Sequence, residues 1–165
     1  MLMKIYTINE ICNELKEKLL KGFALVCIGS DLRGDDRAAL ELCRMLTNLN
    51  TFKFKIILCE YGIENCIGEI IENKIKRIIL IDAAIANNIT PASIIKIDID
   101  EIQEYMPYST HSLPLPLLLR FLMEEFKNLE IAIIGIVVEK MDIELELSPS
   151  IKNLITSLAN CITEE

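Results

Sequence analysis

The chain has 165 residues, a length for one domain, and 52% of them are apolar, enough to bury one core without disulfides or a structural metal. Its net charge of −8 excludes a general nucleic-acid binder, which needs a basic footprint. No apolar run is long enough to span a membrane. The six cysteines, Cys12, Cys27, Cys43, Cys59, Cys66 and Cys161, include no CxxC pair, so neither a zinc knuckle nor a redox motif is indicated. Met1-Leu2-Met3-Lys4 leads into a polar stretch rather than a secretory signal. The expectation is a cytoplasmic protein with reduced, packed cysteines. Richness in Ile, Lys and Glu would suit a hot habitat.

In chain order, Thr7 and Glu10 have the spacing of a capping box, and Gly22 can close the helix they begin. Phe23 to Ile28 is a short apolar run, a buried strand. Asp35 to Leu49 has helical spacing in Ala38, Ala39, Leu42, Cys43, Leu46 and Leu49. Phe52 to Cys59 is a second strand, and Asn65 to Asn73 a short helix. Arg77 to Ile81 is an apolar strand ending at Asp82. Ile94 to Ile97 reads as an edge strand, and Leu115 to Phe126 as a helix started by prolines. Ile131 to Val138 is another continuous strand, and Ser148-Pro149 opens a last helix with Ser as cap.

Apolar runs alternating with helices predict a sheet buried on both faces. The expected fold is one α/β domain over residues 1–165. It is a three-layer α/β/α sandwich around a mostly parallel, twisted sheet of about five strands. In such sheets ligands bind beyond the C-terminal ends of the strands.

The first strand runs into Gly29-Ser30-Asp31-Leu32-Arg33-Gly34-Asp35-Asp36. Two glycines frame it like a phosphate loop, but two carboxylates stand where Lys and Ser or Thr would follow. GxGxxG is missing too. What remains is a loop that presents acids at a helix N-terminus, where either Asp35 or Asp36 could instead be a simple cap. Asp82 closes an all-apolar strand, where α/β enzymes keep their acids, or it is only a turn residue. His111 is the only histidine. It lies in the loop stretch Tyr108-Ser109-Thr110-His111-Ser112-Leu113-Pro114, and loops carry function more often than helix interiors do. Asp36, Asp82 and His111 together would make a three-ligand N/O site suited to nickel or zinc. They are far apart in sequence, so only the fold can bring them together. Residue chemistry alone reaches a metal-dependent hydrolase.

These residues resemble the [NiFe]-hydrogenase maturation endopeptidases. The family's first motif, roughly Gly-Asn-x-Leu-x-Gly-Asp-Asp or Glu, is matched by Gly29, Leu32, Gly34, Asp35 and Asp36. An apolar strand ending in Asp-Ala is matched at Asp82-Ala83. Ser-Thr-His-x-x-Pro-Leu is matched by Ser109, Thr110, His111, Pro114 and Leu115, a form similar to the enzymes acting on hydrogenase 3. Leu147-Ser148-Pro149 also fits. The chain departs from the pattern at Ser30 (Asn in the family), Arg37 and Ala39 (Gly in the family), and at Val137-Val138 (Gln-Pro in the family).

The resemblance implies an endopeptidase that removes the C-terminal extension of a hydrogenase large-subunit precursor after nickel insertion. It implies that Asp36, Asp82 and His111 are both the catalytic and the metal-facing groups, with nickel carried by the substrate rather than kept as a cofactor. A metal could polarise the scissile carbonyl, or a carboxylate could act as general base in an aspartic-type mechanism. The expected partner is the precursor, with no nucleic acid and no membrane, and the chain is expected to be a monomer. The rival readings are a nickel-sensing chaperone that binds without cutting, another metallohydrolase on the same fold, a nucleotide-binding module, and an interaction domain with no site.

Overall fold

The protein is described by a computed structural model covering residues 4–105, 114–139 and 141–164. Six strands form one sheet: β1 (Ile5–Tyr6), β2 (Ala24–Gly29), β3 (Ile56–Glu60), β4 (Arg77–Ala84), β5 (Ile94–Ile97) and β6 (Glu130–Val137). Their order across the sheet is β1-β5-β6-β4-β2-β3. The β3-β2-β4-β6 block is parallel, whereas β5 and β1 continue it antiparallel. The sheet therefore has one strand more than the sequence indicates, because two residues are too short to give a period. The extra strand moves Ile94–Ile97 off the edge: β5 lies between β6 and β1.

The helices are α1 (Ile8–Leu20), α2 (Ala38–Thr47), α3 (Ile67–Glu72), α4 (Ile102–Tyr105), α5 (Leu115–Glu125) and α6 (Pro149–Thr163). The Thr7–Glu10 capping box is formed, and Gly22, at φ +85°, turns the chain out of α1 as a left-handed residue. The 35–49 segment is not one helix. Gly34–Arg37 is a 3₁₀ turn, and α2 begins only at Ala38.

Strand alternation sorts the core into two layers. Leu25, Cys27, Ile79, Ile81, Ala83, Ile134 and Ile136 pack with the buried faces of α1, α2 and α6. Val26, Ile28, Ile78, Leu80, Ala84, Ile133 and Val137 pack with α3, α4 and α5. The middle strands are buried on both faces, so their sequences are continuous apolar runs rather than alternating ones. Among the described residues, no helix is long and apolar enough to cross a membrane.

The expectation of reduced cysteines is overturned. All six are paired, Cys12 with Cys161, Cys27 with Cys43 and Cys59 with Cys66, at Cα separations of 6.1, 6.5 and 5.6 Å. None of the three is a CxxC pair, and packing rather than spacing brings each together. The Cys12–Cys161 bridge ties α1 to α6 across 149 residues. The double variant Cys12→Ala/Cys161→Ala is expected to lose about 2–4 kcal/mol of stability, because the loop freed in the unfolded chain is so long. Thermal unfolding without reductant, beside alkylation of the wild type with and without reductant, measures this.

Candidate functional site

Sheet order determines where a crevice opens. From β2 the chain goes to β3 on one side, then crosses back to β4 on the other. β2 and β4 are thus adjacent parallel strands whose onward connections leave in opposite directions, the switch point at which open α/β sheets bind ligands. The two candidate acids flank this point. Asp36 lies in the 3₁₀ turn that follows β2, and Asp82 lies near the C-terminal end of β4.

Asp82 is 8% exposed, and its Oδ1 accepts a hydrogen bond from Ala83 N at 2.8 Å. It falls between Leu80 and Ala84 on the alternation that faces α3, α4 and α5. Burial pushes its carboxyl well above the ordinary range, and the neighbouring Asp36 pushes it further. Asp36 is half-buried, and burial raises its carboxyl to about 6, with Arg33 opposing. Among the described residues its carboxylate accepts no hydrogen bond. The Asp36 charge thus adds to burial in raising the proton affinity of Asp82. No group of three or more His, Cys, Asp or Glu side chains that could hold a metal is found among the described residues.

His111 lies outside the described residues, as do Ser109 and Thr110 of the same motif. The chain on either side is described. Tyr105 O, at the end of α4, accepts from Ile85 N at 2.7 Å, three residues beyond Asp82. Pro114 caps α5, which packs on the sheet face toward which Asp82 alternates.

The turn itself is built by close approach. Gly29 ends β2, and a Cβ there would collide with the Asp36 carbonyl oxygen and lie 3.3 Å from Arg37 Cα. Ser30, buried, takes the Leu32 amide on its hydroxyl at 3.3 Å, so the serine that departs from the family's Asn still closes the loop locally. Asp31 faces away and forms a two-bond pair with Arg44 at 2.7 and 2.9 Å.

Neither Asp35 nor Asp36 caps α2, whose N-terminus has no side-chain cap. Asp35 instead reaches the last helix: its Oδ1 accepts from Ser148 N at 2.7 Å and its Oδ2 from Ser148 Oγ at 2.8 Å. Ser148 is the N-cap residue of α6 but makes no cap bond with its own hydroxyl. The Ser-Pro signal marked the helix start correctly and concealed the partner. Gly34 N also donates to Glu144 O at 2.8 Å, and an Arg37 guanidinium nitrogen donates to Leu145 O. Sequence reading missed these links between the 34–37 turn and the 144–148 segment.

The family model described as hydrogenase maturation protease matches residues 43–165. The chain is similar to the solution structure of the endopeptidase HycI from Escherichia coli, with 26% identity over 84% of this chain and 87% of that one, at a TM-score of 0.71. A HycI [NiFe] hydrogenase maturation protease from Thermococcus kodakarensis KOD1 is 24% identical over 92% and 99% of the two chains, at a TM-score of 0.70. HybD, a hydrogenase maturating endopeptidase of E. coli, shares the fold at 15% identity over 84% and 87%, with a TM-score of 0.60. No curated protein sequence gives a significant match.

Proposed function

The chain belongs to the hydrogenase maturation protease family, and from that premise we propose that it removes the C-terminal extension of a [NiFe]-hydrogenase large-subunit precursor once nickel is in place. The observation that carries this reading is the carboxylate pair Asp36 and Asp82 at the switch point between β2 and β4, both with raised proton affinity.

In this reading the nickel belongs to the substrate. Two carboxylates and the imidazole of His111 offer N/O donors to a metal whose other ligands are the precursor's own. His111 is assigned from its motif. In support, the described chain leaves α4 beside the strand carrying Asp82, and six residues span up to about 20 Å. Only a nickel-loaded precursor would be anchored, so an empty one would escape cutting.

Hydrolysis needs a water deprotonated as it attacks the scissile carbonyl and a proton returned to the leaving amine. A carboxyl near 6 is ionised for the most part at neutral pH and still basic enough to take that proton. Asp82, raised by burial and by the Asp36 charge, is assigned as the member that holds a proton. The pair is therefore assigned base and acid in an aspartic-type cycle, with nickel orienting the substrate. The enzyme in this reading is a monomer in the cytoplasm, where three disulfides are compatible with a hyperthermophilic host.

Incubating candidate precursors with the protein, with and without nickel, and weighing the products by mass spectrometry tests this. Nickel-dependent loss of a C-terminal peptide is expected. Nickel-dependent binding with no cleavage would replace the protease by a nickel-sensing chaperone, and neither would remove the function. His111→Ala is expected to lower cleavage at least about 100-fold, the size of a lost acid–base or anchoring group, with an unchanged melting temperature. A lowered melting temperature with full activity would make His111 structural.

A further inference from the structure

We infer that Asp35 is a positioning residue for the reaction: by clasping Ser148 it anchors the 3₁₀ turn to the start of α6 and so fixes where Asp36 stands. The inference rests on the functional reading above and adds a residue to it.

Asp35 is 1% exposed, and both of its carboxylate oxygens are used on one residue 113 positions away. A carboxylate accepting a backbone N–H at a helix start is a strong, directional contact. Here the helix is α6, 15 residues long, with no side-chain cap of its own. The neighbours of Asp36 are tied to the same segment: Gly34 N to Glu144 O at 2.8 Å, and Arg37 to Leu145 O. Asp36 N donates to Arg33 O at 2.9 Å within the turn. Every tether thus falls on the residues around Asp36, while its own carboxylate accepts no hydrogen bond among the described residues. A four-residue 3₁₀ turn has little rigidity by itself. Its position is borrowed from a long, packed helix. Asp35 does not touch the reacting atoms and acts only through this mounting.

The test is steady-state cleavage of nickel-loaded precursor by Asp35→Ala, Asp35→Asn, Ser148→Ala and the Asp35→Ala/Ser148→Ala pair, each with its melting curve. Asp35→Ala is expected to lower kcat about 10- to 100-fold with KM within about twofold, since a displacement near 1 Å costs about that much. Asp35→Asn is expected to restore most of kcat, because its amide oxygen accepts from Ser148 N and its NH2 donates to Ser148 Oγ. Ser148→Ala is expected to lower kcat less, and the double variant to be no worse than Asp35→Ala alone. Should Asp35→Ala not fold, Ser148→Ala carries the same expectation of a kcat loss at constant KM. Unchanged kcat in the folded variants, or no rescue by Asn, would overturn the inference while leaving the protease reading intact. Failure of the wild type to cleave would overturn both.

Discussion

Asp36→Asn is expected to stabilise the folded protein while lowering cleavage by about 100-fold or more, the usual contribution of a positioned acid or base. The folded chain holds the Asp36 proton to about 6, against an ordinary value of 3.8. A tenfold change in proton affinity is worth about 1.4 kcal/mol, so keeping Asp36 ionised at pH 8 costs the fold on the order of 3 kcal/mol. Removing most of that penalty gives about 2 kcal/mol, or a rise in Tm of roughly 4–8 °C for a chain this size. Asp82→Asn is expected to shift Tm in the same direction, with the Ala83 amide still able to donate to the amide oxygen.

The sign fixes the pH dependence. Both acids bind protons more tightly folded than unfolded, so their contribution favours the fold at low pH. For Asp36 it is lost as pH rises from about 4 through about 6, and for Asp82 the sign is the same. In Asp36→Asn the decline in Tm across that interval should flatten. A Tm that falls at every pH would show that the carboxyl supports the fold and was not strained by burial. Binding separates the two roles in the reaction: Asp36→Asn that still binds the nickel-loaded precursor points to the general base, and loss of both points to metal anchoring.

Gly29→Ala is expected to damage the site severely. The added Cβ would overlap the carbonyl oxygen of Asp36, and the next atoms it meets, Arg37 Cα and Asp36 C at 3.3 Å, are also backbone. A flexible side chain could yield; this turn is tethered through Gly34, Asp35 and Arg37 and has no cheap way to move. Overpacking of this kind costs about 1–3 kcal/mol. The shift of Asp36 is expected to lower kcat/KM at least about 100-fold even where the variant is folded. Gly68→Ala is the control. It lies in α3 with nothing within 4 Å of its Cβ position, so alanine is expected to add about 0.5–1 kcal/mol and leave cleavage unchanged. Full activity in Gly29→Ala would mean that the turn adjusts freely and that the tethers do not define the site.

Much of this molecule is written in local pattern. The runs at 24–29, 77–84 and 130–137 are short, rich in β-branched apolar residues and mostly buried on both faces, as strands in the middle of a covered sheet are. Thr7 and Glu10 form their capping box within a single turn; Asp82 lies near the end of β4, which runs on to Ala84 rather than stopping at Asp82, and Asp36 lies in the 3₁₀ turn after β2. Local pattern failed where an element was too short or a partner too distant. Ile5–Tyr6 pairs only because β5 lies beside it. Ser148 was legible as a helix start, yet its hydroxyl serves Asp35. Phe52 and Phe54, read as strand, instead pack edge to face before β3 begins at Ile56.

Local pattern is enough for the alternation of strands and helices, the two-faced burial of the sheet and the acids that follow apolar runs, because each depends on exposure periodicity within a few residues. Long-range packing is what sets β2 beside β4, so that Asp36 raises the proton affinity of Asp82, commits Asp35 to α6, and joins Cys12 to Cys161. Those outcomes depend on the order in which strands join the sheet and on contacts between elements far apart in the chain, which no local window contains.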